Sequence, residues 1–522
     1  KSATITKLEG AIVEHTLADG KTKCKVMAVI HPAQVLREPG KEPQLDIGIF
    51  RFARLIQGLA VYEDEAKRDY RVITTEAELS DWMAEVRFAL SKMRDPILAV
   101  DAEWHGEHAV NKNAYLRSVQ VSWGKGKAAC IVLHRQGGKK AFDAGAARAL
   151  KLLKHKLFSG VRVCGHFFNA DLEMLVHFGL DLRKNFYAPR KSKDGVSPWD
   201  RTKTEGGFDT GLAAHAIDES TRYKLELLAL RFTSMRRWDH SVRKWAEGYC
   251  KKHNLKADQM EGYGECPDDV LIPYSLCDVD ATLRLYRVFQ KMLDQDLYGL
   301  APRKAFWRAM SAAPAIYEMN TTGLLIDRDR LDAQQRLFTK WKEQLESRVR
   351  RWVRWDDLNF NSVYQVRELL FGEDLNGKKD EHGEPVRLRP PEAKSLLLDP
   401  IFDTGKRPVP WEKIVEQGRE NEASPSTGKT ALSILTFETE NETKKKFLRL
   451  FQDAKFIGHA IKSVLRPPAT DQAGQLLYED SGHLIYESGL GSFISDDGRI
   501  RSHLWPTTET GRCRSFRPNL QN

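Results

Sequence analysis

A chain of 522 residues is too long for one ordinary core, and the usual size of a domain predicts two to four of them. Hydrophobic residues make up 41% and charged residues 30%. There is no apolar run near the roughly eighteen residues a membrane helix needs and no charged-then-apolar leader, so the expectation is a soluble, globular, cytoplasmic protein. The 82 basic against 72 acidic residues leave a formal charge of +10, which permits a polyanionic partner without demanding one. Seven scattered cysteines with no C-x-x-C pair argue against a disulfide framework. Cys250, His253 and Cys266 lie close together but lack a paired knuckle, so the cysteines read as buried or surface thiols rather than as part of a zinc site.

The chain opens at Lys1 as if mid-domain, and further sequence is expected upstream. KVMAVI is a short β-branched run that delivers a loop at a His-Pro turn. His31, Pro32, Ala33, Leu36 and Arg37 follow as H-P-A-x-x-L-R, and residues 2–55 resemble the C-terminal part of the uracil-DNA glycosylase superfamily. That resemblance implies a partial α/β segment over 1–57 in which the His would hydrogen-bond a flipped base. The family's water-positioning motif would lie upstream, so no activity is expected here, and His31 read from the residues alone is a loop histidine. Residues 58–69 (GLAVYEDEAKRD) are polar enough to read as a linker.

From Tyr70 a strand, a Thr cap and an amphipathic helix begin a run of alternating elements that continues to 296, which predicts one α/β unit. PILAVDAEW puts Asp101 and Glu103 two apart on a strand, so both side chains leave one face. Asp171 stands at the start of a helix in VRVCGHFFNADLEML. In PYSLCDVDATLRLY, Tyr274 and Asp278 are at i and i+4 and share a helix face. Taken singly, each acid reads as a cap or a solvated charge. As an ordered set they supply the hard oxygen ligands that Mg²⁺ prefers.

D-x-E, then G-H-x-x-x-x-D, then Y-x-x-x-D resembles the tyrosine-bearing branch of the DEDD exonucleases over 70–296, as do Asp209 and Thr210 in FDTGLAAHAIDE. The resemblance implies a ribonuclease H-like fold with a mixed sheet, hydrolysing DNA from 3′ ends with two Mg²⁺ ions that Mn²⁺ could replace. It implies further that Asp101 bridges both ions, that Glu103 and Asp278 complete the site holding the nucleophile, that Asp171 serves the second ion, and that Tyr274 orients the attacking water. The chain departs from the family in the second motif, where Phe167 stands two residues after the Gly in place of Asn and Asn169 comes later.

Beyond 296 strands thin out. Leu331, Phe338, Trp341, Leu345, Val349 and Trp352 are spaced for one face of a long helix, with Lys340, Lys342, Arg348, Arg350, Arg351 and Arg354 interleaved. Arg348 and Arg351 are the expected DNA contacts on it. Residues 373–427, rich in Pro, Gly and charge, read as an insertion or long loop. STGKT at 426–430 is not a phosphate-binding loop, because Ala423 stands where that pattern requires Gly.

The closing stretch carries Thr508, Thr510, Gly511, Arg512, Ser515, Pro518, Asn519, Leu520, Gln521 and Asn522. With AIYEMNTTGLLIDRDRL, NFNSVYQVRELLF and FLRLFQDAKF upstream, it resembles the family A DNA polymerases of the bacterial polymerase I type. The resemblance implies a mainly helical thumb over 297–490 and the start of the palm over 491–522. Arg512 can fork into minor-groove acceptors, while Asn519, Gln521 and Asn522 suit sugar and phosphate contacts. The expected whole is a proofreading DNA polymerase of replication or repair, acting as a monomer on primer-template and single-stranded 3′ ends with dNTPs, in a bacterial or phage-infected cell. The polymerase acids would follow Asn522. A stand-alone ribonuclease D type exonuclease and a degenerate, DNA-binding scaffold are the alternatives.

Overall fold

The computed structural model describes residues 12–38, 41–187, 206–219, 223–295, 301–403, 408–410, 416, 425–461, 468–471, 475–479, 481–486, 489–507 and 513–520. Two compact units emerge, one of Lys1–Leu324 with Ser495–Asn522 and one of Leu325–Ile494.

At the N-terminus, β1 (Ile12–Thr16) and β2 (Lys23–Met27) form an antiparallel hairpin, followed by α1 (Pro32–Arg37) and α2 (Glu42–Ile56). His31 has a local job: its Nδ1 accepts the Ala33 N–H at 3.1 Å and caps α1.

The rest of the first unit is built from β3 (Asp69–Ile73), α3 (Glu76–Ser91), β4 (Ile97–His105), β5 (Tyr115–Gly124), β6 (Lys127–Val132), β7 (Arg162–Gly165), α4 (Asn169–His177), β8 (Phe208–Asp209) and α5 (Thr210–Ile217). Then come α6 (Leu225–Phe232), α7 (His240–Lys252), α8 (Asp268–Gln295) and α9 (Pro302–Thr322). The strands make one six-stranded mixed sheet in the order β3-β6-β5-β4-β7-β8. β4 is central, antiparallel to β5 and parallel to β7. Its interior position follows from its sequence: Ile97, Leu98, Ala99 and Val100 are all buried, as befits a strand covered on both faces. Thr75 and Glu78 close a reciprocal capping box at the start of α3. That helix buries Leu79, Trp82, Met83, Val86 and Leu90 against the sheet at helical spacing. The long α8 crosses β4, β5, β6 and β7 and buries most of its residues from Ser275 to Tyr286.

Residues 58–69 do not behave as the free linker their polarity predicts. The Glu63 N–H donates to the Ser234 carbonyl at 2.9 Å, and the Glu63 carboxylate takes Arg68 at 2.9 Å and also pairs with Arg284. These charges are drawn inward because they neutralise one another. The segment before it is likewise packed down. Arg51 is buried and donates to the Leu230 and Met235 carbonyls at 3.0 and 2.9 Å, with Tyr62 under its guanidinium.

The second unit is mainly helical: α10 (Arg328–Val353), α11 (Val363–Phe371), a small hairpin of β9 (Ile401–Asp403) and β10 (Pro408–Pro410), α12 (Lys429–Glu438) and α13 (Glu442–Ala460). Among its described residues, 373–427 is irregular but not loose. Ala393, Leu398 and Ile401 enter the core of this unit. Fully buried Glu368 accepts from Asn376 Nδ2 and from the Leu388 and Arg389 N–H groups at 2.8–3.1 Å. One buried carboxylate thereby organises a stretch whose composition suggests a loop. The stripe on α10 also departs from expectation: Asp332, Gln335, Val349 and Val353 are its buried positions, whereas Trp341 and Trp352 are exposed. A hydrogen-bonded polar layer, with Asp332 accepting from Tyr486 Oη at 2.7 Å, replaces part of the apolar face.

The chain returns to the first unit with an antiparallel hairpin, β11 (His503–Trp505) and β12 (Arg514–Phe516). The Leu504 N–H donates to Asn320 Oδ1 of α9 at 3.0 Å.

Candidate active site

Asp101 and Glu103 stand on the central strand, opposite Gln120 and Ser118 of β5. A register shift after Glu103 bends the strand where the carboxylates leave it. Asp278 arrives from α8, four residues after Tyr274. Carboxylate oxygens of Asp101, Glu103 and Asp278 all lie within 4.8 Å of one another. Asp171, in the first turn of α4, accepts the Ala102 N–H at 2.9 Å. The bond fastens the second acidic segment to the strand that carries the first. The four acids separated along the sequence are therefore gathered at one place, with Glu103, Asp171 and Asp278 buried.

Such a cluster is electrostatically unhappy by itself. Burial, and after it the charge of Asp171, push the Asp101 carboxyl well above the ordinary carboxylate range. Burial followed by the charges of Asp101 and Asp278 does the same to Glu103. Burial and Asp101 raise Asp278, although hydrogen bonds from Tyr274 and Trp238 oppose the rise. Asp171 is pushed up to about 8, mainly by burial. The nearby cation Arg117 is spent elsewhere, donating to the Tyr263, Gly264 and Cys266 carbonyls and to Asp268 at 2.5–3.1 Å. Four hard oxygen donors without a neutralising side chain fit a divalent cation.

Further residues shape the site, and of these Trp238 and Trp505 are marked by no spacing in the sequence. Trp238 Nε1–H donates to Asp278 Oδ1 at 2.5 Å, aiming that carboxylate. Asp209 accepts four backbone N–H groups, from Phe167, Phe168, Gly211 and Leu212, at 2.9–3.0 Å. It thus caps α5 and fixes the loop of the second motif. Phe167, in the place of the expected Asn, adopts φ 51°, a left-handed conformation that is costly for an aromatic residue. A Cβ on Gly211 would sit 2.6 Å from its ring, so the glycine makes room for it. The ring of Phe167 packs on Trp505 of β11 with centroids 4.3 Å apart. Both face a cleft of about 1030 Å³ that also meets Asp101, Glu226, Tyr274 and Asp278. Asn169 points away, donating to the Ala313 carbonyl and accepting from Tyr187 Oη.

Residues 70–294 match the family model described as 3′-5′ exonuclease, of the DNA polymerase A type. The chain carries a 3′-5′ exonuclease domain of the family A DNA polymerase kind. Exonuclease domains of this type are metal-dependent, which accords with the acidic cluster. A DNA polymerase of Escherichia phage T5 is 25% identical over 357 residues, 66% of this chain and 37% of its own length. DNA polymerase I of Borreliella burgdorferi is 28% identical over 174 residues, 33% of this chain and 17% of its own. A solved structure described as the POL domain of Pol1 from M. smegmatis, in complex with DNA primer-template and dNTP, aligns over 87% of this chain and 55% of that one. Its sequence identity is 18% and its TM-score 0.49. The chain thus spans well under two thirds of the curated relatives it matches.

The other expected DNA contacts are scattered. Arg348 and Arg351 are exposed on α10, and Arg348 borders a groove with Trp341 and with Asp453, Phe456 and Ile457 of α13. Arg350 is half-buried and donates to the Leu358 carbonyl, so it belongs to the packing of its unit. Asn519 is exposed. Arg512, Gln521 and Asn522 lie outside the described residues. Cys250, His253 and Cys266 are not gathered into a metal-binding group among the described residues. Cys250 Sγ instead lies 3.9 Å from the Lys256 carbonyl, and burial pushes the Cys266 thiol up to about 12. No described helix is long and apolar enough to cross a membrane.

Proposed function

We propose that this chain removes nucleotides one at a time from DNA 3′ ends, as the proofreading part of a family A DNA polymerase. The observation that carries the reading is the convergence of Asp101, Glu103 and Asp278, with Asp171 fastened to the same strand, at a cleft that Asp101, Tyr274 and Asp278 line. These carboxylates would hold two Mg²⁺ ions, Asp101 between both, with Mn²⁺ able to substitute. When bound, such a pair supplies an activated water and stabilises the leaving 3′ oxygen. Tyr274 would hold the attacking water in line through its hydroxyl. Trp238 would keep Asp278 from rotating away. Phe167 and Trp505 offer aromatic faces on which an unpaired terminal base could stack whatever its identity.

Such a cleft favours a single strand, because a terminal base can stack on Phe167 and Trp505 only once it has left its partner. Frayed and single-stranded termini should therefore be cut faster than paired ones. The test is release of mononucleotides from 5′-labelled single strands and matched duplexes in Mg²⁺. Equal rates on both, or no hydrolysis, would refute the reading. Nucleotide addition is proposed for a protein in which this chain is joined to a full palm and fingers, with residues 491–522 leading into the palm and Arg512, Asn519, Gln521 and Asn522 on the primer terminus.

Tyr274→Phe removes the hydroxyl that would orient the water, and with it the hydrogen bond to Asp278, a carboxylate that Trp238 still holds. The rate at saturating substrate should fall about tenfold, the scale of one hydrogen bond of 1–2 kcal/mol. A loss as large as that of a carboxylate variant would show that Tyr274 does something other than orient water.

Arg348 and Arg351 are proposed to meet DNA phosphates. Replacing both by Gln should weaken primer-template binding at all sequences alike and flatten the slope of log K against log salt by about two, roughly one per lost phosphate contact. An unchanged slope would take α10 out of the DNA contact.

A further inference from the structure

A second ligand set lies outside the carboxylate cluster. Glu107 and His108 follow the end of β4, and His503 begins β11. One potential ligand atom from each lies within 4.8 Å of the other two. The two imidazole rings are 5.2 Å apart between centroids and nearly parallel, at 20°. Two imidazole nitrogens about 2.1 Å from one tetrahedral ion would place the ring centres at about this separation. Around the trio, the arrangement is that of a ligand shell. His108 Nδ1 meets Glu173 Oε1 at 3.2 Å, which leaves Nε2 for another partner. Glu173 is itself fixed by the Ala109 N–H at 3.1 Å. A carboxylate on the far nitrogen is the usual outer support of a metal-binding histidine. His503 has its ring packed on His108 and Phe516, and no hydrogen bond holds either of its nitrogens among the described residues. Arg517 Nε donates to Glu107 Oε1 at 2.7 Å, fixing that carboxylate while its second oxygen remains.

We propose that Glu107, His108 and His503 bind one zinc ion, with water in a fourth position, and that this ion clips the C-terminal hairpin to the loop following the central strand. Two imidazoles and a carboxylate are a zinc ligand set rather than a magnesium one. The charges permit it: Glu107 and Glu173 together outweigh Arg517 by one negative charge, which the ion would turn to one positive. The clip would hold more than the hairpin. His503 is two residues from Trp505, so fixing one places the other against Phe167 at the mouth of the exonuclease cleft.

The experiment must separate this site from the exonuclease carboxylates, which would compete for the ion. The full chain bearing Asp101→Asn and Asp278→Asn is stripped with EDTA, dialysed, and titrated with Zn²⁺ in excess Mg²⁺. Binding is followed by calorimetry, and Co²⁺ is used as a spectroscopic substitute. One tight site per chain is expected, with the intense visible bands of tetrahedral Co²⁺. Adding His503→Ala or His108→Ala should weaken binding at least 100-fold and abolish those bands. Glu173→Gln, which keeps the shape of the side chain, should weaken it about tenfold, the lower end of what loss of an outer-shell carboxylate costs. Circular dichroism checks that each variant is folded, and if the histidine variants are not, Glu173→Gln decides. No tight site in the starting protein, or zinc binding that folded histidine variants or Glu173→Gln leave unchanged, overturns the proposal.

Discussion

Asn in place of Asp101 or of Asp278 is expected to lower 3′-end hydrolysis about 10³-fold, equivalent to about 4 kcal/mol of transition-state stabilisation. Each substitution keeps the volume of the side chain and removes a negative ligand from a cluster whose oxygens lie within 4.8 Å of each other. The loss should appear in the maximal rate more than in DNA affinity, because Phe167, Trp505 and the basic surfaces that would meet the strand are untouched. The two substitutions together should cost little more than either alone, since residues that act as one unit are not additive. Single-turnover hydrolysis of a 5′-labelled single strand measures the chemical step. Retention of more than about a tenth of the rate in either variant would mean that these carboxylates do not carry the reaction.

The cluster was legible because its parts obey local rules. Asp101 and Glu103 share a face of a strand, and Tyr274 and Asp278 share a face of a helix, so each pair declares itself by a spacing of two or four. Their convergence could not be read locally, since it depends on α8 crossing a sheet whose neighbours are far apart in the chain. Trp238 and Trp505 illustrate the limit. The first lies forty residues before the carboxylate it aims, and the second lies in a hairpin more than 300 residues beyond the Phe it packs against. Phe167 was visible as a departure from a motif, yet its left-handed backbone and the space left by Gly211 are visible only in three dimensions. Composition misled where charge was used inside the protein. Residues 58–69 read as a linker because they are polar, yet Glu63 is held there by Arg68 and Arg284, and Glu368 turns the polar stretch after 373 into an anchored one. In both cases buried ionic partners let polar sequence pack.

Stability without metal should fall as pH rises from about 4 to about 8, and Asp171 should account for part of the fall. In the unfolded chain this carboxyl loses its proton near its ordinary value of 3.8, whereas in the fold it keeps the proton up to about 8. Between those values the folded state binds more protons than the unfolded state, so the slope of unfolding free energy against pH is negative. Below the window both states are protonated and the site costs nothing; above it both are charged and the full cost of the buried charge is present. Asp101, Glu103 and Asp278, raised in the same direction, add to the trend. Mg²⁺ must expel these protons to bind, so it should stabilise the chain far more at pH 8 than at pH 5. Thermal unfolding in EDTA from pH 5 to 8 checks this, for the natural chain and for Asp171→Asn. The variant should gain on the natural chain steadily across the range, by about 1–2 °C in Tm for each kcal/mol of cost removed. Parallel profiles for the two proteins would show that Asp171 is not held protonated in the fold, and that the cluster tolerates its charges before any metal arrives.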